Sequence, residues 1–390
     1  MKTRLKVPLL LRILIAIVLG IAVSSVVPTW GVRLSATFNA IFSHFLQFLI
    51  PLIIVGLVTP AIADIGKEAG RLLLITAGIA YADTVCAGLL SFGTGALCFP
   101  HFITAGQGFT ALEQAEAVKP FFDVDIPPLM DVMTALVLAF VLGLGIAHLH
   151  KPQLKAVADE FKDVVAATIE AVVLPLLPLY IFGIFLGMAH TGQAYRVLTV
   201  FVSVIGIIFA LHVLLLLAQY GIAGAIVRRN PLKLLWRMLP AYFTALGTSS
   251  SAATIPVTLR QAEANGVSSG VAGFTIPLCA TIHLSGSALK ITACALALML
   301  MQGYDFTFSQ FLGFILMLGI IMVAAPGVPG GAIMAALGVL SNLLGFTDAD
   351  CALMIALYIT MDSFGTACNV TGDGAIALIV DRIARKEASA

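Results

Sequence analysis

Four polar residues in one apolar stretch carry the chemistry this chain can do. Asp362, Thr366, Asn369 and Asp373 lie within residues 351–380, a segment long enough to cross a bilayer. On a helix they fall at i, i+4, i+7 and i+11, which is a single face. Two carboxylates and an amide at that depth need a polar cavity, a cation or a bound ligand beside them. The face can take an ammonium group at one end and a small cation at the other. Polar residues also act as packing glue between helices, but glue does not require two carboxylates.

The elements that must position this face are membrane helices. Of 390 residues 60% are hydrophobic and 11% charged, with a mean hydropathy of +1.06. A soluble domain of this length does not have that composition, and the chain reads as an all-α polytopic membrane protein. The net charge of +1 gives no footprint for nucleic acid as a partner. The six cysteines (Cys86, Cys98, Cys279, Cys294, Cys351 and Cys368) lack zinc-site spacing and read as small core residues. No histidine spacing points to a transition metal, and no Walker motif or nucleophile elbow is present. Lys2, Arg4, Lys6 and Arg12 precede the first apolar run, which reads as a retained span without a convincing cleavage site.

Apolar runs at 9–28, 37–60, 70–99, 129–149, 164–189 and 197–227 are each long enough to span. Lys and Arg cluster in alternate connections: 2–12, 67–71, 151–162, 228–237 and 382–386. The positive-inside rule puts both termini in the cytoplasm of a cell-membrane protein, with an even number of full spans. The polar stretch at 100–128, with Glu113, Glu116, Asp123 and Asp125, is then an external loop. Beyond residue 229 the pattern changes. The run 232–262 is broken by Thr248-Ser249-Ser250-Ser251 and Pro256, and 306–345 by Pro326-Gly327-Val328-Pro329-Gly330-Gly331. The arms are too short to cross comfortably, so each run reads as a re-entrant hairpin whose tip lines a cavity. The hairpins alternate with long spans at 268–303 and 347–381, an arrangement that points to a binding site at an inverted repeat.

Four motifs in this order carry a resemblance to a known family. They are Ser249-Ser250-Ser251-Ala252-Ala253-Thr254-Ile255-Pro256, Pro277-Leu278-Cys279-Ala280-Thr281-Ile282-His283-Leu284-Ser285-Gly286-Ser287-Ala288, Ala325-Pro326-Gly327-Val328-Pro329-Gly330-Gly331 and Asn369-Val370-Thr371-Gly372-Asp373. The chain resembles the dicarboxylate/amino acid:cation symporters, the glutamate transporter homologues, over essentially its whole length. In appearance it stands nearest the serine/threonine, or neutral amino acid, branch. The resemblance implies eight transmembrane helices, two re-entrant helical hairpins and a homotrimer working as an elevator. Scaffold helices 1 and 2 would occupy 1–69, and transport helix 3 would occupy 70–99. The external loop and scaffold helices 4 and 5 would occupy 100–190. Residues 191–390 would hold the rest of the transport domain: helix 6, hairpin 1 at 230–263, helix 7 at 268–303, hairpin 2 at 306–345 and helix 8 at 347–385.

The resemblance also implies roles. Asp362 would hold a substrate's α-ammonium, and Asn369 with the backbone at Ser250 and Ser251 would hold its α-carboxylate. Val328 would close over the ligand, while Ser287, Gly365 and Thr366 would line the pocket. Charge pairing and N–H donors suit these roles, and helix N-termini at the tips favour an anion. A sodium ion would be held by Asn369 and Asp373 with carbonyls around Cys279, Thr281 and His283.

The sequence departs from the family pattern in three places. Gly365 stands where carriers of acidic substrates have an arginine, and Ser249 where others place one. A second substrate carboxylate would then be buried unpaired at a cost of several kcal/mol, so the expected substrate is a small neutral amino acid such as serine, threonine or alanine. The room at Gly365 leaves a larger neutral side chain open. Another family sodium site looks lost, because its seventh-span ligands read His283 and Ser285. Asp83 and Lys290 are additional charges in apolar spans. Lys290 lies seven residues after His283, about 10 Å along the same face. It either snorkels to the interface or pairs with Asp83 or a site carboxylate, putting a fixed positive charge where a sodium would sit. Histidine is the side chain that changes charge near neutral pH, so a titrating His283 is an expectation here. Coupling to fewer sodium ions, to protons or to none remains open. So do an acidic amino acid or dicarboxylate symporter, an exchanger, an anion channel and a non-transporting binding protein. An enzyme is not expected, and neither is a cofactor.

Overall fold

The computed structural model describes residues 9–66, 71–103, 119–149, 151–192, 194–325 and 330–388. All regular structure among them is helical. In chain order the helices are α1 (Leu9–Val23), α2 (Thr29–Gly66), α3 (Arg71–Cys98), α4 (Val132–Leu149), α5 (Pro152–His190) and α6 (Ala194–Val227). They continue as α7 (Pro231–Thr248), α8 (Ser251–Ala264), α9 (Ser269–Ile282), α10 (Ser285–Gln302), α11 (Phe308–Ala324), α12 (Gly331–Leu344), α13 (Asp348–Thr360) and α14 (Asp362–Ala388). Five stretches, within α2, α3, α5, α6 and the pair α9–α10, are long and apolar enough to cross a membrane. The pair α13–α14, bent by 63°, makes a sixth. At 1.5 Å per residue, α1 and α4 reach only about 22 Å and 27 Å, short of the roughly 30 Å hydrocarbon core.

The expected spans carry breaks: the one at 347–381 is two helices meeting at Met361, and the one at 268–303 is interrupted at His283–Leu284. The basic stretch 151–162 is not a free connection but the first three turns of α5. A π turn at Ile169–Val173 joins it to the apolar part. Pro175 lacks an N–H, and its ring crowds the carbonyl of Ala171, which forces that turn open. The basic residues at 2–6 and Lys67, most of the external loop, and Val328 lie outside the described residues. The described end of the loop, from 119, is held on α2: Arg33 donates to the carbonyls of Lys119 and Pro120 and stacks on Phe121.

Packing sorts the helices into two sets. α1, α2, α4 and α5 lie against one another, while α6, α9, α14 and the first hairpin (α7, α8) enclose a second core, with α3 packed along α10. α11 and α12 form the second hairpin and bridge the sets through α2. α10 is, Leu300 apart, buried all round, as expected of a central helix. Large apolar side chains such as Val141, Val202, Val213, Trp236 and Phe243 stand exposed on the outer helices, where lipid would cover them. Cys279, Cys294 and Cys368 are core residues as expected, whereas Cys86 is exposed.

One buried carboxylate ties α10 to the start of α13. Asp350 closes a capping box with Thr347 and accepts hydrogen bonds from Gln302 and Tyr304. Replacing it with alanine strips an acceptor from Gln302, from Tyr304 and from the N–H and hydroxyl of Thr347, a loss on the order of 2–4 kcal/mol. Asp350→Ala is therefore expected to melt well below the wild type in detergent, and an unchanged melting temperature would refute this account of the junction.

Candidate functional site

The site is built where two helices break. At Met361 the chain leaves α13 with φ −113° and ψ 10° and re-enters a helix at Asp362. The first N–H groups of α14 and the last carbonyls of α13 therefore lack helical partners. At His283 the backbone is extended and at Leu284, with φ −125° and ψ 45°, it is also non-helical, so the first N–H groups of α10 are similarly free. A side chain from another helix meets the free N–H groups of α10, and at the other break Lys290 reaches the Met361 carbonyl, which also accepts the Phe364 and Gly365 N–H groups.

Asn369 serves the break between α9 and α10. Its Oδ1 accepts the Gly286 and Ser287 N–H groups at 2.8 and 3.2 Å. Its Nδ2 donates to Ser287 Oγ at 3.1 Å, which also takes the Tyr358 hydroxyl at 3.0 Å. The His212 ring adds a contact of 3.1 Å to the Gly286 carbonyl. Gly286 has no room for a side chain, since a Cβ would lie 2.8 Å from that of Cys368. The amide expected to meet a substrate carboxylate is thus already joining two helices.

Asp362 and Lys290 serve the break between α13 and α14. Lys290 is fully buried, which rules out the snorkelling alternative. Its Nζ lies 3.4 Å from Asp362 Oδ1 and 3.4 Å from the Met361 carbonyl, and 3.5 Å over the Tyr358 ring. A cation at the C-terminal end of α13 and an anion at the N-terminal end of α14 both match the helix dipoles, and the ring face adds attraction. Asp362 Oδ2 accepts the Gly330 N–H at 2.9 Å, so both oxygens are engaged. Gly330 sits at φ 75° at the start of α12, a left-handed position that glycine adopts without strain. Of the two partners anticipated for Lys290, the structure brings it to the site carboxylate and not to Asp83.

Asp83 finds another partner. His283 is fully buried, with Nδ1 2.8 Å from Asp373 Oδ1 and Nε2 2.8 Å from Asp83 Oδ2. Both ring nitrogens face carboxylates, an arrangement in which the doubly protonated imidazolium satisfies both acceptors. Gln219 Nε2 donates to Asp83 Oδ2 at 2.6 Å and to Ser285 Oγ at 3.1 Å, while its Oε1 is buried without a partner. A point between the two carboxylates that a hard cation would want lined with oxygen is filled by a nitrogen heterocycle. The Cys279 carbonyl, a candidate cation ligand, accepts the His283 N–H. Thr281 stands apart, exposed and bonded to the Leu278 carbonyl.

The tip of the first hairpin reaches this site from outside. Ser249 takes a left-handed conformation at φ 50° and its hydroxyl lies 2.7 Å from that of Ser363. Ser250 caps α8 by accepting the Ala253 N–H, and Ser251 begins that helix. Thr366 is buried, its hydroxyl donating to the Asp362 carbonyl. Gly365 carries more than empty room: a Cβ there would lie 2.6 Å from Lys290 Nζ.

Gln219 and Tyr358 belong to this network without standing out in the sequence reading. Gln219 is the sole amide of α6, which is a readable signal. Tyr358 has none, because an aromatic residue in an apolar span is ordinary.

With this geometry in place, likeness to known proteins is informative. The sodium:dicarboxylate symporter family matches residues 9–383. The serine/threonine transporter SstT of Acinetobacter baumannii is 28% identical over 96% of this chain and 97% of its own length. Excitatory amino acid transporter 1 of Ambystoma tigrinum is 31% identical over 68% of this chain, and excitatory amino acid transporter 3 of Mus musculus 29% over 66%. The chain spans about half the length of these two animal transporters.

The His283 arrangement makes a distinct prediction. His283→Asn withdraws the internal cation and leaves Asp83 and Asp373 in need of another. Sodium chloride, relative to choline chloride, is expected to raise the melting temperature of the variant more than that of the wild type, because a ligand bound only by the folded state stabilises it. Identical responses in the two proteins would count against an internal cation at this point.

Proposed function

The chain belongs to the sodium:dicarboxylate symporter family, and from that premise we propose that it is a secondary active carrier of small neutral amino acids, with serine, threonine and alanine as first candidates. The observation that carries the reading is the convergence of two helix breaks and a hairpin tip on a set of buried polar groups. Broken helices at membrane depth are tolerated where they line a site. The serine hydroxyls at 249, 250 and 363 favour a small polar ligand. The Asp362–Lys290 pair is neutral as a unit and offers no unpaired cation to a second carboxylate, which disfavours an acidic substrate.

The proposed mechanism follows the two packing sets. α3, α6, α9, α10, α14 and the hairpins would move as one block against α1, α2, α4 and α5, in the elevator manner, within a homotrimer whose outer faces meet lipid. Both termini would be cytoplasmic. His283 between Asp83 and Asp373 supports altered and reduced sodium coupling, since it takes the place of one bound cation. A titratable imidazole there also makes proton coupling a reading that the geometry favours over an uncoupled exchanger.

The test is uptake of labelled serine into proteoliposomes under an inward sodium gradient, an equal potassium gradient and an inward proton gradient. Accumulation is expected, with sodium and potassium comparable. Uptake that strictly requires sodium and ignores the proton gradient would sink proton coupling and keep the carrier. Displacement of the label by aspartate in preference to threonine would replace the neutral reading with the acidic one.

A further inference from the structure

We propose that Lys290 is a built-in ammonium group occupying the subsite at Asp362, so that this carrier does not require an α-amino group and also transports small 2-hydroxy carboxylates. The proposal rests on the carrier reading above and concerns which end of the ligand the site recognises.

Three observations converge. First, both oxygens of Asp362 are already engaged: Oδ1 faces Lys290 and Oδ2 takes the Gly330 N–H. A ligand ammonium would have to compete with a tethered one for the same carboxylate. Second, Lys290 is enclosed. It has no exposed surface, it lies on the Tyr358 ring, and the Met361 carbonyl takes part of its charge. Third, the chain makes room for it. A Cβ at residue 365 would lie 2.6 Å from Nζ and 2.8 Å from Cε of Lys290, so any side chain there would evict the ammonium. Gly365 and Lys290 therefore form one unit. What remains for a ligand is a set of donors, namely the start of α8 at Ser250 and Ser251 with the hydroxyls of Ser249 and Ser363. Those recognise a carboxylate and a hydroxyl and are indifferent to an amine.

A purely structural pair, clasping the break at Met361, would show the same contacts. The two roles differ in what the lysine's removal does to ligand choice. The experiment compares serine with glycerate, in which a hydroxyl replaces the amine, by binding to the purified full chain and by uptake into proteoliposomes. The wild type is expected to bind glycerate at least as well as serine. Lys290→Met frees Asp362 for a ligand ammonium and is expected to shift the serine-to-glycerate affinity ratio about tenfold or more toward serine, the scale of a charge-assisted hydrogen bond. Because Lys290→Met leaves a buried carboxylate unpaired and risks misfolding, the double variant Lys290→Met with Asp362→Asn is measured beside it. Removing both charges is milder than removing one, and this variant is expected to keep glycerate and to lose the gain for serine.

A wild type that prefers serine by tenfold or more overturns the proposal and leaves the carrier standing. So does a Lys290→Met variant that weakens both ligands equally. A wild type that takes up neither acid overturns the proposal and the carrier reading together.

Discussion

Three carboxylates at the centre of the protein stand against two side-chain cations, and this pairing shapes that centre. Asp362 and Asp373 are almost wholly enclosed, and Asp83 is only partly open. Taking a carboxylate out of water costs several kcal/mol even after relaxation. The chain meets that cost from its own sequence. Lys290 stands against Asp362, and His283 stands between Asp83 and Asp373. Both cations come from one stretch, the break between α9 and α10 and the second turn after it, so a single element neutralises carboxylates on two others.

The helix breaks and the charges depend on each other. A break leaves N–H and C=O groups without partners in a region where water cannot supply them. Asn369 caps one break, and at the other Lys290 reaches the Met361 carbonyl beside its pair with Asp362. Asp362 also reaches Gly330 at the start of the second hairpin, so one side chain links the break, the buried lysine and the hairpin. Filling the break with apolar residues would save the desolvation cost but would leave the backbone groups orphaned. The polar residues are therefore held by backbone chemistry as well as by any ligand.

The sequence reveals much of this architecture, and its failures have physical causes. Hydropathy finds the spans because an apolar helix must be continuous to cross. The hairpins are visible because serine runs and Pro-Gly clusters interrupt apolar arms. The break at Met361 is hidden because no proline or glycine marks it: Thr360, Met361 and Asp362 are all compatible with a helix, and the 63° bend is set by tertiary packing. Helical periodicity also cannot say which side of a neighbouring helix a lysine meets. Lys290 and His283 share a face in an unbroken helix, yet the interruption at Leu284 sends them to different carboxylates. Gln219 was within reach as a lone amide, while the role of Tyr358 depends on a contact that appears only in three dimensions.

Gly365 shows most clearly why residues here must be read in pairs. Taken alone, a glycine at this position offers only room. The structure puts Lys290 Nζ over that glycine and against Asp362, so the room is used by a cation from another helix. At His283 one ring nitrogen meets Asp83 on α3 and the other meets Asp373. Two cations from one stretch thus stand against three carboxylates. Asp362, paired with Lys290, is the carboxylate matched one to one, and a ligand beside that pair binds by shape and hydrogen bonding more than by charge.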